Sequence, residues 1–268
     1  LDTLSAQTGL VFTFYREDGS GAGLFEKAMS AEPAYDFTAR DGVRHIFRVI
    51  GDPGLISAFR EMLAPRDLYI ADGHHRAACA AKVGLERRKR EGAGEHEWLL
   101  AVVFPHDQLK ILPYNRVVRD LNGLSAEEFL NKLEERYSLV PAESPVPPER
   151  TRFCLYLERR WYLLTPRSAA EGDLVGMLDV SVLQKSILEP ILGIGDPRKD
   201  TRIDFIGGIR GTGELEKLVD SGSFKLAFSM YPTSIEELIS VSDAGGLMPP
   251  KSTWFEPKLR SGMVIHRI

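Results

Sequence analysis

The sequence of 268 residues predicts an α+β protein, in which helices and strands are mixed along the chain. Short apolar runs, such as those at 11–15, 98–104 and 224–231, indicate strands. Runs in which apolar residues recur every three or four positions, such as 55–63, indicate helices. The two kinds of segment do not alternate strictly, as they would in a doubly wound parallel sheet. The composition, 43% hydrophobic and 27% charged, is typical of a soluble globular protein.

Turn and cap residues set the boundaries of the elements expected in the first part of the chain. Asp41 and Gly42 separate two β-rich runs and predict a hairpin. Asp52 and Pro53 open a helix that Pro65 ends. The basic run 87–90 is expected to be a solvated helix end. Helices are therefore expected at 24–29, 53–63 and 77–91, and strands at 11–15, 36–38, 43–50, 68–71 and 98–104.

The second part of the chain is expected to form a C-terminal α/β domain over 123–268, after a first domain over 1–122. Ser125 is placed to cap a helix that extends to Tyr137, with Glu128 at the capping-box position. A proline-rich linker follows at 141–149, and a hairpin at 152–165 turns near 158–160. Further helices are expected at 180–192, 214–219 and 234–240, and further strands at 202–206 and 224–231.

Bulk properties exclude several classes of function. The formal net charge is −4, whereas nucleic-acid-binding proteins present a basic face. No apolar run approaches the roughly 20 residues of a membrane helix, and no signal peptide is visible. Cys79 and Cys154 lack the C-x-x-C spacing, so a reduced, cytoplasmic setting is expected. The chain does not begin with Met, so a preceding segment that completes the site is expected.

The most informative segment is 70–76, which reads IADGHHR. An apolar strand leads through a glycine turn into a helix of small residues, and such a helix start offers free N–H groups and a favourable dipole to an anion. Arg76 adds a bidentate fork for phosphate, and His74 and His75 add donors. Asp72 ends the strand, where a metal ligand or a base would stand. The segment therefore predicts a phosphate-binding site that includes the Gly73 turn.

Two other interpretations of this segment remain open. A well-capped strand-to-helix turn with a surface arginine is one, and metal binding by the histidines is the other. His74 and His75 are adjacent on a helix and point about 100° apart, so they are poorly placed to share one ion. His75 and Cys79 do share a face. A cysteine among alanines, however, is more often a small buried hydrophobic residue.

Two later segments carry further candidates for contact with an anion or a substrate. Asn115 and Arg116 follow a short strand and a Pro-Tyr turn, where Arg116 offers a second cation to phosphate or to a carboxylate. The alternative is a surface arginine in an edge strand. Lys251, Ser252 and Thr253 follow two prolines that stiffen the loop, which suits an anionic ligand. The alternative there is a structural clamp in which the aromatic residues at 254–255 are buried.

Three blocks of sequence resemble one protein family. The run ADGHHR, followed by an Ala-rich helix, looks like the signature of domain-of-unknown-function family 1015. Residues 111–118, which read ILPYNRVV, are similar to that family's LPTHRVV stretch. Residues 248–253, which read MPPKST, together with Phe255, Pro257 and Lys258, are similar to its C-terminal block. The three blocks span most of the chain, which is identified on them as a member of the family.

The resemblance implies a fold and a ligand class. The family is related to the ParB/sulfiredoxin superfamily, whose members hold nucleotide phosphates at a Gly-x-x-Arg turn, so 1–122 is expected to be a ParB/sulfiredoxin-like phosphate-binding domain with a mixed sheet. Some related members are free-serine kinases that use ADP or ATP. The chain departs from the family at Asn115, where a His is frequent, and at Ala77, where a Tyr is frequent. Since Asn is neither an acid nor a base near neutral pH, a catalytic role carried over to that position is in doubt.

The sequence and the resemblance together predict a phosphotransferase that uses ATP or ADP with Mg²⁺ and acts on a small hydroxyl compound, with free serine as the candidate acceptor. Asp72 would hold Mg²⁺ or orient the acceptor hydroxyl. A nucleotide-binding regulatory switch and a metal-dependent hydrolase are the alternatives. The expected partners are a small-molecule substrate and a nucleotide, without nucleic acid or membrane, and a homodimer is a candidate assembly. The residues expected to be catalytic are Asp72, His74, His75 and Arg76, and those expected to bind phosphate are Gly73, His74, His75, Arg76 and Arg116.

Overall fold

The structure, a computed structural model, describes residues 1–169, 171–260 and 262–268. The chain divides into two units. The first contains Leu1–Leu109 and Leu259–Ile268, and the second contains Lys110–Lys258. Both units combine helices with strands, which confirms the α+β class. The division falls at 109–110 and not at the expected 122–123, because the strand at 114–118 pairs inside the sheet of the second unit.

The first unit contains a three-stranded mixed sheet. This sheet is formed by β2 (Val11–Tyr15), β5 (Tyr69–Asp72) and β6 (Ala101–Pro105), and the unit also contains the strands β1 (Ala6–Gln7), β3 (Pro33–Thr38) and β4 (Arg44–Arg48). Its helices are α1 (Ala22–Met29), α2 (Pro53–Leu63) and α3 (His74–Glu91). The central strand β2 is buried along its whole length and pairs antiparallel with β5 and parallel with β6. β3 and β4 form the predicted hairpin, and the C-terminal strand His266–Arg267 pairs with β1.

Local signals in the sequence account for several of these boundaries. Asp52 caps α2, where its side chain accepts a hydrogen bond from Leu55 N at 2.6 Å, and Pro53 is the first helical residue. Gly42 turns the hairpin with a φ of +81°. The strand expected at 98–104 begins only at Ala101, since a short 3₁₀ turn, Glu95–Glu97, precedes it.

The second unit contains a six-stranded sheet in the order β12-β8-β13-β10-β11-β9, with every neighbouring pair antiparallel. The strands of this sheet are β8 (Tyr114–Val118), β9 (Tyr137–Pro141), β10 (Phe153–Leu157), β11 (Arg160–Pro166), β12 (Ile203–Gly207) and β13 (Leu226–Ser229). Two further strands of the unit, β7 (Lys110–Leu112) and β14 (Trp254–Glu256), pair with each other. Its helices are α4 (Ala126–Glu134), α5 (Asp179–Leu183), α6 (Thr212–Asp220) and α7 (Ile235–Asp243). The expected C-terminal α/β part is thus built on an antiparallel sheet.

Two helices of the second unit differ in length from the expectation. The capping box of Ser125 and Glu128 is present, but α4 ends at Glu134, and Tyr137 instead begins β9 with only 2% of its surface exposed. The helix expected at 180–192 is α5 followed by a π-helical segment, Gln184–Leu188. Leu183 is fully buried in the main hydrophobic core of the unit. Tertiary packing therefore overrides the local helical pattern in both places.

Two other residues also differ from the expectation. Arg87 was expected at a solvated helix end, but it is 8% exposed and donates hydrogen bonds to Asp2 and to the hydroxyl of Ser5. Cys79, expected to be buried, is exposed, whereas Cys154 is buried. Within the described ranges, no helix is both long and apolar enough to cross a membrane.

Candidate functional site

The candidate site is the turn at 72–76 of the first unit. β5 ends at Asp72, which lies opposite Phe12 of β2, and α3 begins two residues later. Gly73 joins the two elements with a φ of +97°, a conformation that residues with a side chain rarely adopt. A Cβ at Gly73 would also stand 3.0 Å from the Nε of Arg76. This position therefore requires glycine for its backbone conformation and for the close approach of the guanidinium.

The guanidinium of Arg76 is held between two glycines and a carboxylate. Its Nη2 donates to Asp72 Oδ2 at 2.6 Å. A Cβ at Gly9, in the loop between β1 and β2, would stand 3.2 Å from its Nη1. The side chains of Asp72 and Arg76 remain 68% and 43% exposed, so a ligand can reach both. Sequence reasoning missed Gly9, because its approach to α3 depends on a contact across 67 residues of chain.

The first turn of α3 offers backbone donors. No side chain caps this end of the helix, and the first intrahelical hydrogen bond runs from Ala77 N to the Gly73 carbonyl at 2.9 Å. The N–H groups of His74, His75 and Arg76 precede that bond and point out of the helix end. With the dipole of an 18-residue helix and the charge of Arg76, this end of α3 favours an anion. Both histidine side chains are exposed.

A cavity of about 320 Å³ adjoins the turn. His75, Arg76 and Cys79 line it from α3, and Gln7 and Gly9 line it from the N-terminal segment. Its volume lies at the lower end of the roughly 300–1,000 Å³ that ligand pockets occupy. The turn thus borders a space large enough for part of a small molecule.

The side chains that suit a metal ion are few around this turn. Asp72 is its carboxylate, and Mg²⁺ commonly binds one or two carboxylates together with substrate phosphates. In the part of the chain that the structure describes, no three side chains of His, Cys, Asp and Glu cluster as ligands for a metal ion.

A second polar cluster of the first unit lies at the other end of β2. The hydroxyl of Tyr15 donates to Glu17 Oε2 at 2.5 Å, and Glu17 N donates to His106 Nδ1 at 3.0 Å. Burial and this carboxylate raise the pKa of Tyr15, and the same hydrogen bond lowers the pKa of Glu17. Asp72 pairs with Phe12, and Tyr15 lies three positions further along β2, which is about 10 Å along a strand. Glu17 therefore orders the loop after β2 and is not part of the turn.

The other predicted residues lie in the second unit. Arg116 is 3% exposed and donates to the carbonyl of Lys251 at 3.1 Å, so the structure brings these two positions together. Asn115 is 2% exposed, and its Oδ1 accepts from Met230 N at 3.0 Å. Ser252 is also buried, and its hydroxyl donates to the Pro249 carbonyl at 2.6 Å.

These contacts give the predicted residues of the second unit different surroundings. Asn115 and Ser252 spend their polar atoms on structural hydrogen bonds within the unit. Thr253 is partly exposed, and Lys251 is exposed, with its Nζ 5.3 Å from the ring centre of Tyr114. Of these predicted residues, only Arg116 and Lys251 therefore carry a charge that a ligand could use.

Comparison with known proteins gives one family and a set of solved structures. The family model described as "Protein of unknown function (DUF1015)" matches residues 1–181. No curated protein matches the chain. A conserved hypothetical protein from Pyrococcus furiosus has a TM-score of 0.38 and 15% identity over 70% of each chain. A free serine kinase in complex with AMP has a TM-score of 0.38 and 14% identity, covering 91% of this chain and 83% of its own. A mutant of free serine kinase in complex with ADP has a TM-score of 0.37 and 16% identity over the same shares.

Proposed function

The chain belongs to the DUF1015 family, and from this premise and the geometry of the turn at 72–76 we propose that it is a nucleotide-dependent phosphotransferase acting on a small hydroxyl compound. The observation that carries the proposal is the uncapped start of α3, with Arg76 folded over Gly73 beside the carboxylate of Asp72. This arrangement presents backbone N–H groups, a guanidinium and an acidic group within one turn. The proposal includes a ParB/sulfiredoxin-like character for the phosphate-binding turn.

Each residue of the turn has a role in this proposal. The N–H groups that follow Gly73 bind the nucleotide phosphates, and exposed His74 and His75 add donors at the same end of the helix. Arg76 neutralises the charge that develops on the transferred phosphoryl group, which is the main contribution a protein makes to phosphoryl transfer. The proposal is for ATP or ADP as the phosphoryl donor.

Asp72 has two uses in the proposal. Its carboxylate is 68% exposed and can accept a hydrogen bond from the acceptor hydroxyl, which orients that oxygen towards phosphorus. It is also the ligand that the turn offers to Mg²⁺, an ion that offsets the negative charge of nucleotide phosphates. Free serine is the first acceptor to test, because the sequence blocks resemble a family with free-serine kinases among its relatives.

Phosphorus NMR tests the proposal directly. The native chain is incubated with ATP or ADP, Mg²⁺ and a pool of free amino acids, and compared with the Arg76→Ala variant. We expect a new phosphomonoester signal with the native chain and a loss of at least about 100-fold in its rate with Arg76→Ala. Arg90→Ala is the matched control, since Arg90 is another exposed, ion-paired arginine of α3, and this variant should keep the native rate.

Three other outcomes would contradict the proposal in different ways. Nucleotide signals that broaden without turnover would favour the nucleotide-binding switch. Nucleotide signals that stay sharp and unshifted would refute phosphate binding at the turn. A phosphomonoester signal that Arg76→Ala leaves unchanged would place the chemistry elsewhere in the molecule.

A further inference from the structure

The second unit contains a cavity of about 490 Å³ that the proposed function does not use. One wall is α5 with the π-helical segment Gln184–Leu188, and another is the loop that contains Asp196 and Arg198. Arg116 of β8 and Phe205 of β12 come from the sheet, and Pro249 and Pro250 complete the lining. All of these residues lie within Lys110–Lys258, so the cavity belongs to this unit alone.

Arg116 is a buried cation at the wall of this cavity. Its guanidinium donates to two backbone carbonyls, those of Tyr114 and Lys251, and lies 5.4 Å from the ring centre of Phe205. A guanidinium has five N–H groups, so these bonds leave donors over. Among the described residues no carboxylate pairs with it, although it is only 3% exposed. Burial lowers the pKa of Arg116 to about 10, so it remains charged at neutral pH.

An unpaired buried charge is expensive, and proteins normally offset it with a counter-ion. Carbonyl groups and the Phe205 ring offset part of the cost but carry no net negative charge. Within the cavity the only carboxylate of the described lining is Asp196, and Arg198 already binds it through Nε at 3.0 Å and Nη2 at 3.1 Å. Over the residues that the structure describes, Arg116 therefore has no acidic counter-charge.

A second cation lines the same cavity without a direct ion pair. Lys185 is exposed, and in the described part of the chain its ammonium forms no ion pair, although its Nζ and Asp173 Oδ1 would stand 3.3 and 3.0 Å from a Cβ at Gly176. Three cationic side chains and one carboxylate thus face this space. The resulting positive potential favours an anionic ligand.

The wall that carries Lys185 has an irregular but fixed backbone. Gln184–Leu188 is π-helical, a form that is rare and frequently found at functional sites. The side-chain amide of Gln184 donates to the carbonyls of Ile194 at 2.6 Å and of Gly195 at 3.3 Å, which ties this segment to the loop on the other side. Two hydrogen bonds within the protein therefore connect two walls of the cavity.

We propose that this cavity is a binding site for a small molecule that carries a carboxylate or phosphate group, held by the guanidinium of Arg116 and the ammonium of Lys185. The planar fork of an arginine matches the two oxygens of either group. Ser181 adds a hydroxyl from α5, and Phe205 and the two prolines pack against the rest of the ligand. The cavity binds this anion whether or not the turn at 72–76 binds a nucleotide.

The experiment follows the Nε–H signals of arginine side chains by NMR while inorganic phosphate or acetate is added to the full chain. We expect the Arg116 signal, assigned by its absence from Arg116→Lys, to shift saturably with at least one of the two anions. A response to phosphate alone identifies a phosphorylated ligand, and a response to acetate alone identifies a carboxylate. Sodium chloride at the same ionic strength should leave the signal in place.

Substitution of the buried Arg116 could unfold the protein, so the proposal is also tested with variants at exposed positions. Lys185→Met removes an exposed cation and should lower the affinity for the anion about two- to fivefold. Lys217→Met, an exposed lysine on α6, should bind as tightly as the native chain. Arg76→Ala should also bind unchanged, which separates this site from the nucleotide turn. Absence of a saturable shift, a shift reproduced by chloride, or equal affinity in Lys185→Met would overturn the proposal.

Discussion

Gly73 combines two constraints that ordinarily occur apart. Its φ of +97° turns the chain from β5 into α3, and its missing Cβ admits the Arg76 guanidinium at 3.0 Å. The first constraint concerns stability, and the second concerns the position of a charge at the helix start. The two can be separated, because the same helix ends at another glycine, Gly92, with a φ of +83° and no atom near its Cβ position.

The Gly73→Ala variant is therefore expected to lose nucleotide binding as well as stability. The strained backbone should cost roughly 1–2 kcal/mol of unfolding free energy. The displaced guanidinium should weaken the binding of ATP or ADP about tenfold or more. Gly92→Ala should lose a comparable amount of stability, about 1–3 kcal/mol, but keep the native affinity. Urea unfolding and nucleotide titration of both variants provide the measurement. Equal affinities for the two variants would show that Arg76 does not depend on the bare glycine.

At the scale of elements, α5 starts with a buried carboxyl group that is only partly hydrogen-bonded. Asp179 is 7% exposed, and only its Oδ1 has a hydrogen bond, from Thr151 N at 2.9 Å. Its Oδ2 is buried without a partner. Burial raises the pKa of Asp179 to about 6, and the charge of Glu237 adds to the effect while Arg150 opposes it. The folded protein therefore holds the proton more tightly than the unfolded chain, whose carboxyl has a pKa near 3.8.

This difference makes a prediction about pH. The stabilisation from protonated Asp179 is complete below about pH 4 and is lost as the pH rises through about 6, up to about 3 kcal/mol. Asn at position 179 does not titrate. The unfolding free energy of Asp179→Asn, relative to that of the native chain, should therefore be higher at pH 7.5 than at pH 4.5. Urea unfolding at the two pH values measures the change. Asp196→Asn is the control, and its difference from the native chain should stay nearly constant between these pH values, since the hydrogen bond to Arg198 lowers the pKa of Asp196 and this carboxylate is charged at both. A pH-independent difference for Asp179→Asn would refute the argument.

The elements also show what the sequence can predict. The caps at Asp52 and Ser125, the hairpin at Gly42 and the strand-turn-helix at 72–76 depend on residues within a few positions of one another, and all were predicted. The predicted end of α4 was wrong, because Tyr137 belongs to β9. That strand pairs with β11 and not with β10, the next strand along the chain. In the two sites, too, residues that depend on contacts distant in sequence were not predicted. Gly9 and Lys185 were missed, since each reaches its site through contacts that no local pattern records.

At the scale of the whole molecule, the first unit is assembled from both ends of the chain. Residues 259–268 return to it after the entire second unit, and the strand His266–Arg267 pairs with β1. Arg87 of α3 fastens both ends. Its Nε donates to Asp2 Oδ1 at 2.7 Å, and its Nη1 donates to the carbonyl of Ile268 at 3.3 Å. The burial of this arginine, unexpected from its basic neighbours, thus has a structural reason.

The Arg87→Met variant is expected to loosen both chain ends without affecting the second unit. Methionine keeps much of the apolar volume but removes the charged hydrogen bonds to Asp2 and Ile268, a loss of about 1–2 kcal/mol because Asp2 is half exposed. Hydrogen exchange should rise about tenfold at 1–8 and 264–268 and stay native within 110–258. Lys89→Met, at an exposed position of the same helix, should leave exchange unchanged everywhere. Faster exchange throughout the second unit would mean that the two units unfold together, and native exchange at both ends would mean that Arg87 does not fasten them.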